Sequence, residues 1–166
     1  MMTDDRDVDW AAAAANLPHG SLVIVRARDA ARRAALAESL IGTARLVIAD
    51  DPALAEDIGA AGLHLPQARM REAFHWRCRH PDWIITSSAH ALGALLHAAA
   101  LDAVFLSPVF ATTSHKGSKP LGAARAALIA AQSPVPVYAL GGVAARNATL
   151  LAPSFAGIAA ITGLLS

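Results

Sequence analysis

Seven short apolar runs recur along the chain, at residues 22–25, 46–49, 62–65, 83–85, 103–106, 135–140 and 157–161. Runs of this length, bounded by polar or glycine turns, read as buried strands. The segments between them favour alanine, leucine and arginine, which are good helix formers. Such a strand–helix alternation requires parallel pairing, because each crossover returns the chain to the same end of the sheet. Helix starts are marked by Asp9 before residues 10–15, by Asp29 before 30–40, and by Asp51-Pro52 before 53–58. Gly42 and Gly59 close the second and third of these, residues 90–100 and 121–131 read as further helices, and 70–80 has a weaker pattern.

Parallel strands of this number fit a doubly wound open sheet or a closed barrel with an eighth strand still to be found. In both, polar residues at the C-terminal strand ends form the ligand site. Arg26-Ala27-Arg28-Asp29 stands after the first readable strand, where a dinucleotide fold would carry its glycine-rich turn. The 166 residues suit a single domain spanning 1–166, although barrels of this kind usually need about 250.

Composition removes other classes. The net charge of +1 supplies no basic field for nucleic acid, and no stretch approaches the roughly 20 apolar residues of a membrane helix. One cysteine, Cys78, rules out an internal disulfide, and the acidic opening MMTDDRDVDW is unlike a signal peptide, so a soluble cytoplasmic protein is expected. None of the seven histidines has zinc-site spacing, so any metal should be a hard ion held by oxygen.

The strand ends carry the chemistry. Alternation puts Ile24, Arg26 and Arg28 on one face, Leu46, Ile48 and Asp50 on one face of the next strand, and Thr86, Ser88 and His90 on another. Two arginines and an aspartate thus meet near one rim, either as a structural ion pair or as a grip on phosphate with Asp50 on a divalent ion. His64, in an apolar strand, reads first as a core group; His19, His75, His80 and His97 read as surface residues. After Ser107-Pro108 a polar loop offers Thr112, Ser114, Lys116 and their neighbours as anion donors. Gly141-Gly142 and Thr162-Gly163 follow the last two runs, where small residues let backbone N–H groups approach a phosphate.

These residues resemble the thiamine phosphate synthases and the related TenI-type thiazole tautomerases. SPVFATTSHK (107–116) is similar to the family's G-P-V-F-x-T-x-[ST]-K, PVYALGGV (136–143) to P-V-V-A-I-G-G-I, and GLHLPQ (62–67) to G-V-H-L-G-Q. Residues 23–28 and 48–50 match V-Q-L-R-E-K and I-N-D more weakly, and residues 1–6 would be the remnant of a first strand. The resemblance implies a compact (β/α)8 TIM barrel with shortened helices and a truncated C-terminal helix. It also implies the coupling of a pyrimidine methyl pyrophosphate to a thiazole phosphate with release of pyrophosphate. In that register Arg26 and Arg28 would hold pyrophosphate and Asp50 would be a magnesium ligand. Ser88 and His90 would lie near the reacting centre, with His64 and Gln67 beside the substrate. Thr112, Ser114 and Lys116 would contact phosphates, and Gly141, Gly142, Thr162 and Gly163 would cradle the thiazole phosphate.

The chain departs from the family pattern at the metal. Arg69 stands two residues past Gln67, where the family has its second magnesium-ligating aspartate, and Ile24 and Ala49 replace a glutamine and an asparagine of the pyrimidine pocket. One pair of unit charges about 4 Å apart is worth roughly 4 kcal/mol at an effective dielectric near 20, so magnesium binding should be weakened. Arg69 then either acts as a fixed cation on pyrophosphate, or the chain binds thiazole phosphate, tautomerase-like, without coupling, or it is a non-catalytic scaffold or regulatory barrel. The stretch after Thr162-Gly163 is too short for the helix that follows an eighth strand, which would leave apolar surface for a second subunit in a homodimer or higher homo-oligomer.

Overall fold

The structure, a computed structural model, describes residues 1–112, 119–151 and 153–160. In chain order the elements are α1 (Trp10–Ala15), β1 (Leu22–Val25), α2 (Ala30–Leu40), β2 (Arg45–Ala49), α3 (Pro52–Asp57) and β3 (Gly62–Leu65). A 3-10 helix (Gln67–Glu72) leads into α4 (Ala73–Arg79), followed by β4 (Ile84–Ala89), α5 (Leu92–Leu95), β5 (Ala103–Leu106), α6 (Ala123–Ala130), β6 (Val137–Ala139), α7 (Ala145–Ala148) and β7 (Gly157–Ile158). The strands pair in parallel in strict sequence order, β1 to β7. The curled sheet that results is a barrel wall rather than a doubly wound sheet, which would reverse its order partway.

The N-terminal residues bridge the two edges of this wall. Thr3 N–H donates to the Ile24 carbonyl at 2.9 Å and Ile24 N–H to the Met1 carbonyl at 2.9 Å, while Met2 N–H reaches the Ala160 carbonyl at 3.3 Å. Met2 therefore sits in the gap as a short eighth strand, with one bridge to Ile24. The remnant expected from the family pattern takes up its place.

The helix starts follow their caps. The carboxylates of Asp9, Asp29 and Asp51 accept from the N–H groups of Ala12, Arg32 and Leu54, satisfying donors that the first helical turn leaves free. Residues 90–100 form only the four-residue α5, without a side-chain cap at Ala91. Gly93 weakens a continuous helix there, and the chain goes on in turns in which His97 and Ala98 donate to the carbonyls three residues back. β6 is shorter than the apolar run 135–140, since Pro136 has no N–H to give to the sheet. β4 is longer than 83–85, running on through Thr86, Ser87 and Ser88.

Apolar burial is divided by the wall. Outside it, Val23, Val25, Leu46 and Ile48 pack under α1 to α3, and Leu63, Leu65, Ile85, Val104 and Leu106 pack under α4 to α6. Each fully buried Leu, Ile or Val contributes about 1.5–3 kcal/mol by transfer out of water. Inside it, Ile24, Val47, Ala49, Leu140 and Ala159 gather around Met2. His80, expected at the surface, is half-buried: its ring stacks on Trp83 at 3.8 Å and it bonds Glu56 at 2.8 Å.

Candidate functional site

The C-terminal ends of the strands surround a cavity of about 360 Å³, lined on one side by Arg26, Arg28, Arg33 and Asp50, and on the others by His64, Gln67, Ser88, His90, Thr112, Gly141 and Gly142. Most residues expected at the site therefore meet in one place. Ser114, Lys116, Thr162 and Gly163 lie outside the described residues.

β1 ends by directing Arg26 into the barrel mouth, in step with inward-facing Ile24. Thr3 holds the strand end: its hydroxyl donates to the Arg26 carbonyl at 3.0 Å and accepts from the Arg26 N–H at 2.8 Å. Among the described residues the Arg26 guanidinium has no hydrogen bond or ion pair. Arg28, by contrast, is largely solvated, its side chain 87% exposed and 3.8 Å from Asp5.

Alternation along β2 does not bring Asp50 to the mouth, because Leu46 and Ile48 point outward beneath the helices. Asp50 reaches the cavity because its φ of 57° lies in the left-handed region, which turns the chain out of the strand's two-residue period. Its partner there is Arg69, whose Nη1 donates to Asp50 Oδ1 at 2.5 Å. The same guanidinium forks onto Glu72, Nε to Oε1 at 2.7 Å and Nη2 to Oε2 at 2.6 Å. Three of the five guanidinium N–H groups of Arg69 are thus engaged by two carboxylates, and Arg69 is not among the residues that line the cavity.

The barrel interior holds His64 between two hydroxyls, with Nδ1 bonded to Thr86 Oγ1 and Nε2 to Ser88 Oγ, both at 2.9 Å. Register places His64 beside Thr86, so the contact is built into the β3–β4 ladder. Burial, reinforced by the Arg26 charge, pushes the His64 ring down to about 3 from its usual 6.5. His64 is thus both a satisfied core residue and part of the cavity wall, neutral at any working pH. As pH falls the unfolded chain takes up this proton first. The stability due to a neutral His64 is therefore fully present above about pH 6.5 and is lost toward pH 3, by up to about 1.4 kcal/mol per pH unit. Urea midpoints of wild type and His64→Gln should converge between pH 7 and pH 4; parallel curves would show that His64 does not set the slope.

Gln67 and His90 join the next two loops. Gln67 Oε1 accepts from the His90 N–H at 2.7 Å, and the Ser107 carbonyl, 2.7 Å from His90 Nδ1, keeps the ring proton on that nitrogen. Beyond β6, Gly141 and Gly142 have φ of 89° and 67°, and among the described residues their N–H groups have no acceptor. A Cβ on Gly142 would stand 2.3 Å from the Ala111 carbonyl oxygen, and one on Gly141 2.8 Å from Pro108 Cα. The pair therefore does more than turn the chain: it lets the loop after β5 lie against the loop after β6 with donors facing the cavity.

Arg33, on α2, also lines the cavity, a place that alternation along the strands does not predict for a helix residue. Its Nη1 donates to the Ala27 carbonyl at 2.9 Å and its Nη2 to Asp51 Oδ2 at 2.8 Å, which ties the loops after β1 and β2 together. Its Nε is buried without a partner among the described residues. The adjacent pair Arg32-Arg33 between alanines gives no sign of this role in the sequence.

A mouth rich in guanidinium and backbone N–H donors above a neutral imidazole suits a phosphorylated ligand. The chain matches the TMP-TENI family, thiamine monophosphate synthase, over residues 2–164. It is 34% identical over 88 residues to a putative thiamine-phosphate synthase 2 of Aquifex aeolicus, covering 52% of this chain and 47% of the relative. It is 32% identical over 126 residues to a thiamine-phosphate synthase of Laribacter hongkongensis, covering 74% and 60%. The chain thus spans about half the length of the first relative and three-fifths of the second. In fold it is similar to a thiamine phosphate pyrophosphorylase from Pyrococcus furiosus, with a TM-score of 0.78 at 20% identity over 97% of this chain and 84% of that one. Motif order, barrel topology and family match agree, and the chain belongs to the thiamine monophosphate synthase family.

Proposed function

We propose that this chain takes part in thiamine biosynthesis by joining a pyrimidine methyl pyrophosphate to a thiazole phosphate. The observation that carries this reading is the Arg26 guanidinium, unpartnered among the described residues and facing a cavity at the C-terminal barrel mouth, beside an imidazole held neutral. In the reaction the bond from the pyrimidine methylene to the pyrophosphate oxygen breaks, the thiazole nitrogen takes up the methylene carbon, and pyrophosphate leaves. Arg26 and Arg28 would neutralise the departing charge, and the N–H groups of Gly141 and Gly142 would hold the thiazole phosphate. A neutral His64 between Thr86 and Ser88 adds no positive charge next to a carbocation.

The residues present do not fit magnesium. Asp50 is bonded to a guanidinium, and no three acidic, histidine or cysteine side chains come together among the described residues. The same ion pair, with apolar Ile24 and Ala49 in the inner wall, favours as second reading a thiazole phosphate site without coupling.

Incubation with both substrates, followed by oxidation to fluorescent thiochrome, should yield product. Absence of product together with tight thiazole phosphate binding would replace the first reading by the second. No helix among the described residues is long and apolar enough to cross a membrane, which is consistent with a cytoplasmic site of action. Exposed Leu128, Leu150 and Ile158 support a homo-oligomer, and a monomer by light scattering at micromolar concentration would refute it.

A further inference from the structure

The charge balance of the cavity leads beyond the coupling reaction, although the inference rests on the phosphate site proposed for it. Asp50 is turned toward the rim by its left-handed backbone. Left alone, its carboxylate would repel any anion that Arg26 attracts. In this chain the compensating cation belongs to the protein: Arg69 is bonded to Asp50 at 2.5 Å and anchored by its fork onto Glu72. Glu72 is held well below the usual carboxylate range chiefly by its hydrogen bond from Arg69, so both partners stay charged at neutral pH.

Among the described residues, the donors that remain at the cavity have no acceptors. They are the Arg26 guanidinium and the N–H groups of Gly141 and Gly142, all from residues that line the cavity. Three such donors converging on one cavity make a place for an oxyanion. A divalent ion would have to displace Arg69 from Asp50, and among the described residues no three acidic, histidine or cysteine side chains come together to hold it.

We propose that this site takes a diphosphate group as the metal-free anion, with Arg69 masking Asp50 in place of a divalent cation. The consequence is a reversed magnesium effect. Magnesium complexed to diphosphate in solution covers its oxygens and cancels charge that the guanidiniums would otherwise meet, so the magnesium complex is the poorer ligand.

Calorimetric titration of the full chain with inorganic pyrophosphate, in chelator and then in excess magnesium, tests this. Binding is expected in chelator, with affinity falling at least fivefold in magnesium. Arg69→Met should weaken binding in chelator about tenfold by unmasking Asp50, and Arg69→Asp should make magnesium strengthen binding. The wild-type titrations stand alone if either variant fails to fold. Binding that requires magnesium, binding tightened by it, or no pyrophosphate binding in either condition would overturn the proposal. Loss of coupling with the metal-free binding intact would defeat the coupling reading alone. Coupling that runs only with magnesium would defeat this inference while the coupling reading stands.

Discussion

Arg26→Met is expected to reduce kcat/KM for thiamine phosphate formation about 100-fold. Among the described residues Arg26 has no internal partner to lose, so the substitution removes ligand contacts without leaving a buried carboxylate uncompensated. A charge-assisted hydrogen bond contributes about 1.5–3 kcal/mol, and each 1.4 kcal/mol is a factor of ten, so one or two phosphate contacts account for the estimate. Arg28→Met should cost less than tenfold, because its side chain is 87% exposed and its charge is screened by water. A second readout separates charge from packing. The His64 ring is depressed first by burial and then by Arg26, so its titration by NMR should move upward in Arg26→Met and stay in place in Arg28→Met. Equal losses in the two variants, or an unmoved His64, would remove Arg26 from the site.

Gly142→Ala is expected to destabilise the fold by about 2–5 kcal/mol and to abolish phosphate binding. The left-handed backbone costs an L-residue about 1–2 kcal/mol, and Gly142 has φ 67°. The larger effect comes from contact, since the new Cβ would lie 2.3 Å from the Ala111 carbonyl oxygen and 2.9 Å from the Phe110 carbonyl carbon. Neither atom belongs to a side chain that could rotate away, so the loop after β5 has to move, at a further cost of about 1–3 kcal/mol. Gly20→Ala is the control: its φ is 84° but nothing lies within 4 Å of the added carbon, so only the backbone cost should appear. Urea midpoints for both variants, with phosphate titrations, measure the difference. Equal losses would show that close approach between the two loops is not what Gly142 provides.

How far the site was readable from sequence differs from residue to residue. Arg26 follows from alternation, since Ile24 is inward and the period is two. Asp50 does not: the same rule turns it outward with Leu46 and Ile48, and a single positive φ brings it back. The apolar neighbours of His64 mark it as a core residue, and it is buried. Its hydroxyl partners, however, are 22 and 24 residues away and come from strand register. Arg33 left no trace, because a helix residue that ties two loops together has no local signature.

Taken alone, the sequence determined the parallel strand–helix alternation, the helix starts at Asp9, Asp29 and Asp51, and the family motifs at the strand ends. These depend on periodicity and on hydrogen bonds between residues three apart, which are local properties of the chain. Tertiary structure alone decided the closure through Met2, the neutrality of His64 and the destination of Arg69. Arginine in place of an aspartate shows a change of charge, but a long side chain can reach a ligand or a neighbouring carboxylate. Which one it reaches depends on the distance between two loops 19 residues apart, set only when the barrel closes.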